Sequence, residues 1–462
     1  MKRVLALLLA AMLLVFAVGC QSGGSTTPDA KPEESEKEAE PAEEQEAEPE
    51  APADEGEGSG NPDAPAMKFM WWGNDSRHEA TKKMVDLYNE TFGANISYEF
   101  MAWDGFWDKL PVLSASNSMP DILQMDSAFI HTYVNNGALM DITDKLDLTD
   151  IMTQEQIDIY KIDGVLYGAP VGTNGMGCTY LKPVLDEYGI DYPWAGWTWD
   201  EFITWAKDAA EKLPDGMWIQ GDPRASGYEN LQNYVEANYG YKILGFDGSF
   251  NFNKEHFIEY FTLWQELADA GVVPPAEVSM SFTDGDATSD GWINKKVLLR
   301  FSNIGNVDME VALLPDEEQT TVGVASAPVG ENGGGWYQST MFYCVGANCE
   351  HPDEAVEFIK WIVSDIEAGK ILQTVRGMPV SEAVYDAIKD DMTVGQRLAK
   401  SLQDAVAPYA TPYWNNTPND YADWVNEFKA YGESIMLGEM GIEEAADHLY
   451  EAGMAIYESL NN

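Results

Sequence analysis

From Met67 to Asp126 the chain alternates short apolar runs with longer amphipathic ones, and this alternation restricts the fold more than any other feature. "MKFMWWG" is a short apolar strand followed by turn residues. "RHEATKKMVDLYNETF" then places Ala80, Met84, Leu87 and Tyr88 at helical spacing. "NISYEFM" predicts a second strand, "WDGFWDKLPVLSAS" a second helix, and "PDILQMD", Pro120 to Asp126, a third strand. Strand, helix, strand, helix, strand is an α/β pattern built on a parallel sheet. Ligands of such sheets sit outside the carboxyl ends of the strands. The loops after Trp72, Met101 and Met125 are therefore expected on one rim.

Downstream, "DGVLYGAPVGTNGMGCTYLKPVLDEYG", Asp163 to Gly189, predicts an extended segment, a glycine-loosened stretch, and then a further strand and helix. "WTWDEFITWAKDAAEKL" carries Thr198 and Glu201 at capping-box spacing. "KEHFIEYFTLWQELADAG" is an amphipathic helix ending at Gly271. "VLLRFSN", "TVGVASAPVG" and "TMFYCVGA" predict strands, and "HPDEAVEFIKWIVSDIEAGKILQ" and "MGIEEAADHLYEAGMAIYESL" helices. No repeat of solenoid length is present. A chain of 462 residues is too long for one ordinary core and points to two lobes.

The N-terminus lies outside this pattern. "MKR" is followed by an unbroken apolar run, Val4 to Val18, and then by "AVGC". The run is too short to span a bilayer, which takes roughly 20 residues, and its basic flank suits a secretory signal. Small residues leading into Cys20 resemble a bacterial lipoprotein signal, with Ala17 where leucine is usual, so Cys20 is the expected lipidation site. Gln21 to Ala66 is rich in Glu, Pro, Ala and Gly and has no aromatic residue, the composition of a disordered acidic tether. The whole chain has 78 acidic and 27 basic residues, a formal charge of −51, which argues against nucleic acid as a partner. Beyond Cys20 there are three cysteines. Cys344 and Cys349 are placed either to bridge or to stay as buried thiols, the second being favoured, and no His or Cys cluster has zinc-ligand spacing. Neither metal nor cofactor is expected.

Several segments, in this order, make the chain resemble the extracellular solute-binding proteins of bacterial sugar importers, the family of the maltodextrin-binding protein. They are "PDILQMD", "NNGALMDIT", the segment Asp163 to Gly189, "WTWDEFITWAKDAAEKL", "GWINKKVLLRFSN", "VGVASAPVGENGGG", "HPDEAVEFIKWIVSDIEAGKI", "VRGMPVSEAV" and "GIEEAADHL". The resemblance implies a type II two-lobed α/β fold with a ligand clamped between lobes. It divides the chain into residues 67–172 with 340–390 for one lobe and 173–339 with 391–462 for the other. Crossovers then fall near Pro170 to Asn174, near Gly335 to Thr340 and near Asp390. The implied role is a non-catalytic, lipid-anchored, monomeric carbohydrate-binding subunit on the outer face of the cell membrane, with importer permease subunits as partners. The weighed alternatives are a secreted glycoside hydrolase, which needs two carboxylates across a cleft, and a same-fold binder of another solute.

A sugar site combines aromatic faces for its C–H surfaces with carboxylates and amides for its hydroxyls. At the first rim, alternation sends Trp71 and Trp72 to opposite faces, with Trp72 taken as the rim residue and Asn74 and Asp75 behind it. Trp103 follows the second strand and Asp126 ends the third, where a helix N-cap is the competing role. Under the resemblance, Asn174 stands where the maltodextrin binder has an acidic residue, and Asn303 where it has an aromatic one. Glu229 and Asn230 match a contact segment of the second lobe. In "ENGGGWYQST", Gly335 would let a ligand approach bare backbone and Trp336 would stack on it, a hairpin with a core tryptophan being the alternative. Arg376 in "VRGMP" is a bidentate donor or a surface ion-pair partner. Of Trp414 and Trp424, one is expected to stack and one to be core. "DGDATSDG", Asp284 to Gly291, mimics a calcium loop but has Ser289 and Lys295 where that loop needs Gly and Glu.

Overall fold

The computed structural model describes residues 54–56, 60–225, 227–245, 248–281, 290–412 and 421–461, all within one compact unit spanning 51–462. The expected lipidation site Cys20, the tether up to residue 53, most of the calcium-loop mimic and Trp414 lie outside the described residues. No helix among the described residues is long and apolar enough to cross a membrane.

The opening alternation folds as expected. Strand β2 (Ala66–Trp72) leads to helix α1 (Asp75–Phe92), β3 (Asn95–Met101), α2 (Trp103–Ala115) and β4 (Ile122–Asp126). The Asn74 side chain accepts from the Arg77 amide and starts α1, and Gly93, in the left-handed conformation, ends it. β2 pairs in parallel with both β3 and β4, so the carboxyl ends of these strands share one rim. A short strand β1 (Asp54–Gly56) runs antiparallel along β3 at the edge.

The glycine-loosened stretch is one continuous strand, β5 (Gly168–Leu181), and it belongs to two halves of the sheet. Its first half, from Gly168 to Gly175, pairs with β8 (Trp336–Val345), which in turn pairs with β4. Its second half, from Met176 on, pairs with β6 (Leu299–Asn303) and β7 (Val322–Ser326). The register of β5 on β8 shifts on either side of Gly172, a bulge within the first of its two pairings. A Cβ at Gly172 would collide with the Arg376 carbonyl, so the bulge leaves room for glycine alone. Two further short strands close over this region: β9 (Met378–Pro379) on β5 and β10 (Thr411–Pro412) on β8.

Helices cover both halves. Thr198 and Glu201 form the expected capping box at the start of α3 (Trp199–Ala210). α4 (Glu229–Tyr239) and α5 (Lys254–Asp269) follow, then α6 (Val394–Val406), which packs on β7, and α7 (Ala422–Met436). Cys178, Cys344 and Cys349 are buried free thiols.

Two tryptophans bear on the sequence expectation, and Trp424 takes the core role expected of one member of the Trp414 and Trp424 pair. Trp424 is fully buried: its indole nitrogen donates to the Leu449 carbonyl at 2.8 Å, and its ring meets Phe250, Phe252 and Phe428. It is a core residue of α7. Trp72 ends β2 at the rim, but its ring is buried as Trp71's is, because helices cover both faces of a parallel sheet and the rings of Trp103, Phe106 and Trp107 pack against it. Trp424→Ala should cost about 3–5 kcal/mol, as expected for truncating a fully buried tryptophan. Equilibrium denaturation checks this, and ligand affinity measured on the folded fraction should stay unchanged.

Candidate functional site

Three loops at the carboxyl ends of β2, β3 and β4 bring aromatic rings together. Trp72 ends β2, Trp103 and Trp107 lie at the start of α2, and Phe129 follows β4. Trp72 meets Trp103 edge-to-face at 5.3 Å between ring centroids, Trp103 meets Trp107 at 5.4 Å, and Trp107 meets Phe129 at 4.3 Å. Trp72 and Phe106 back this platform from inside, while Trp103 is 43% exposed. A partly exposed indole packed against neighbouring rings offers aromatic surface of the kind on which a sugar's C–H face stacks.

Asp126 ends β4 beside this platform. Its Oδ1 accepts from the Ala128 amide at 2.8 Å, an Asx turn of the kind foreseen as its competing role. Burial is the larger influence on this carboxyl and holds it above the ordinary value, while the Ala128 hydrogen bond pulls the other way. Asp75 is exposed in the first turn of α1, where its charge acts on His78.

A second concave surface lies where β5, β6 and β8 leave the crossover. It is a small pocket, about 280 Å³ with the adjoining open solvent included. Trp199, Tyr260 and Phe301 supply its aromatic walls, Asn230 and Asn233 its amides, and Gly335 a stretch of bare backbone. Gly335 has a left-handed φ of 67°, and a Cβ there would strike the Met176 carbonyl, so the backbone stays uncovered at this wall.

Two buried polar atoms at this pocket are unpaired among the described residues. Asn233 donates from Nδ2 to the Met176 sulfur at 3.2 Å, yet its buried Oδ1 has no partner among the described residues. The buried indole nitrogen of Trp199 has none either. Native proteins pair nearly all such atoms, and a hydroxyl, which both donates and accepts, is a group of the kind that pairs with both.

The remaining expected residues are distributed unevenly around this pocket. Asn174 accepts through Oδ1 from the Gly175 and Gly305 amides, and Asn303 pairs in register with Met176, so both flank the wall without lining it. Glu229 is an exposed first residue of α4, and its neighbour Asn230 faces the pocket instead. Trp336 is the first residue of β8, outside the loop that precedes it. It is buried with Met176 and Ala327, against Phe301, in a small cluster separate from the main core. Arg376 is neither at the surface nor in the pocket: it is 4% exposed, and its Nε donates to Gln124 Oε1 at 3.2 Å.

Trp199, Asn233, Tyr260 and Phe301 were not foreseen. The one signal for Asn233 was its position three residues after Asn230 on a helix, which puts both amides on one face.

A model of bacterial extracellular solute-binding proteins matches residues 83–396. A carbohydrate ABC transporter substrate-binding protein of Streptococcus pneumoniae is 24% identical over 273 residues, 53% of this chain and 52% of that one. The lactose-binding protein of Rhizobium radiobacter is 23% identical over 345 residues, 70% of this chain and 72% of that one. Among solved structures, a family 1 extracellular solute-binding protein of Alicyclobacillus acidocaldarius superposes with a TM-score of 0.75 at 20% identity, covering 85% of this chain and 99% of that one.

The Asp126 environment yields a pH prediction. A carboxyl raised by folding contributes stability below its unfolded pKa and loses it as the pH rises through the folded value. Asp126→Asn removes that loss and keeps the acceptor for Ala128. The ligand-free variant should therefore melt higher than the wild type at pH 7, with the difference shrinking as the pH falls toward about 4. Thermal melts across pH check this, and a lower melting temperature at pH 7 would contradict it.

Proposed function

Because the chain belongs to the bacterial extracellular solute-binding proteins, we propose that it captures an oligosaccharide between two lobes and delivers it to the permease of an ABC importer. The lobes are those named above, hinged where β5 and β8 cross. The mature chain is held at the outer face of the cell membrane by a lipid on Cys20, and it performs no catalysis. The observation that carries the sugar reading is the pocket pairing of an unsatisfied acceptor, Asn233 Oδ1, with an unsatisfied donor, Trp199 Nε1, among aromatic walls. The exposed Trp103 platform is the second support, as the stacking surface for another ring of the same ligand. The relatives named for carbohydrate and for lactose bear on the same reading. The acidic character of the chain favours a neutral sugar over an anionic one.

In this mechanism the two faces act in sequence. The ring that stacks on Trp103 is held first, since that face is open to solvent. Closure then seats a hydroxyl between Trp199 and Asn233, and the hydrogen bonds left open in the free protein are completed only in the closed form. A ligand that binds one of two states more tightly shifts the population toward it.

A panel of neutral oligosaccharides tests this by thermal shift and calorimetry. At least one member should raise the melting temperature and be recovered unchanged. Trp103→Ala should weaken that ligand at least about tenfold while lowering stability by about 1–2 kcal/mol, the scale of the lost ring contacts. Asn233→Ala should weaken it by a comparable factor, from loss of a buried hydrogen bond. No shift across the panel would remove the sugar assignment, and conversion of the sugar would replace binding with hydrolysis.

A further inference from the structure

A second group of unpaired polar atoms lies away from the pocket, inside the half of the sheet that carries β2, β4 and β8. Gln124 and Tyr343 are cross-strand partners on β4 and β8, so their side chains rise from the same face. The Arg376 guanidinium lies over the Tyr343 ring at 5.7 Å and donates through Nε to Gln124 Oε1. All three residues are buried, Gln124 and Tyr343 completely. Arg376 Nη1 and Nη2, Gln124 Nε2 and the Tyr343 hydroxyl have no partner among the described residues. Arg77 lies close by, its Nε donating to the Val375 carbonyl at 3.1 Å, and its charge reaches Arg376.

The chemistry of this group is one-sided. Three of the four open atoms are nitrogens that only donate, and the fourth is a phenol that burial keeps neutral. The charges acting on Arg376 are those of Tyr343 and of a second arginine, with no carboxylate among them. Burial pushes the Arg376 guanidinium down to about 10, which still leaves it protonated at neutral pH. A buried cation without a counter-charge is costly. A water molecule would answer poorly here, because it would bring two hydrogens to a place with almost nothing to accept them.

We propose that this cluster of donors binds one small inorganic anion, a halide, as the counter-ion of Arg376. The position gives the ion a structural consequence. The Arg376 carbonyl accepts from Thr340 Oγ1 at 3.3 Å and packs on Gly172, and the next residues enter β9 on β5. The anion thus fixes the segment that is wedged between both crossovers, independently of what the sugar site holds.

The test uses the mature full-length chain at constant sodium concentration, with gluconate exchanged stepwise for chloride or bromide. The melting temperature should rise by roughly 1–3 °C per tenfold increase in halide once the site begins to fill. Arg376→Gln should abolish the dependence. Tyr343→Phe keeps the ring under the guanidinium and removes only the hydroxyl, so it serves if Arg376→Gln does not fold; it should raise the half-saturating halide concentration about fivefold. Crystals grown in bromide should show an anomalous peak within hydrogen-bonding reach of Arg376 Nη1 or Nη2. Equal melting in gluconate and halide, the same dependence in the variants, or bromide only elsewhere would each overturn the proposal.

Discussion

A single strand of fourteen residues determines how everything else is arranged, because β5 hydrogen-bonds to β8 along its first half and to β6 and β7 along its second. A strand paired at both ends cannot slip by one residue without turning every side chain to the wrong face in two sheets at once. The bulge at Gly172 is the place where the backbone departs from that rigidity, and the Arg376 carbonyl packed against it leaves no space for a side chain. The pocket wall at Met176 and the turn into the first half of the sheet are therefore positioned by the same stretch of chain. Residues from distant segments, Asn233, Phe301 and Gly335, line one pocket beside it.

The two candidate binding surfaces differ in physical character. Trp103 offers area: an open indole face whose supporting rings are already buried, so little conformational entropy is lost when a ligand stacks on it. Trp199 and Asn233 offer direction, with one donor and one acceptor whose desolvation cost has already been met by the fold. Under the proposed function, the face would recruit by area and the pocket would select by hydrogen bonds. The Asp126 carboxyl, raised by burial, adds an acceptor at the platform end.

Much of this fold was legible in the sequence because its signals are local. β2, β3 and β4 are short apolar runs bounded by turn residues, and the Thr198–Glu201 capping box is complete in four positions. What was not legible depends on coverage from afar. Trp72 lies buried because helices approach both faces of the sheet, which strand alternation alone does not reveal. Trp424, Phe428 and Ile435 were a readable helical stripe, and the tryptophan was core for that reason. Arg376 was expected at the surface or in contact with ligand, and only the strands β4 and β8, remote in sequence, bury it. Asn233 stood on a helix as an ordinary polar residue, and its role follows from an atom left unpaired, which no spacing rule reports.

The central claim is that one ligand is held at once by the Trp103 platform and by the Trp199–Asn233 pair, on two sides of the β5 crossover. A crystal structure with the tightest-binding oligosaccharide of the panel tests it most directly. The account predicts one sugar ring stacked on Trp103 and a hydroxyl of the same molecule within hydrogen-bonding distance of both Trp199 Nε1 and Asn233 Oδ1. A sugar bound with both Trp199 Nε1 and Asn233 Oδ1 still unpaired, or one that touches only a single side of the crossover, would contradict it.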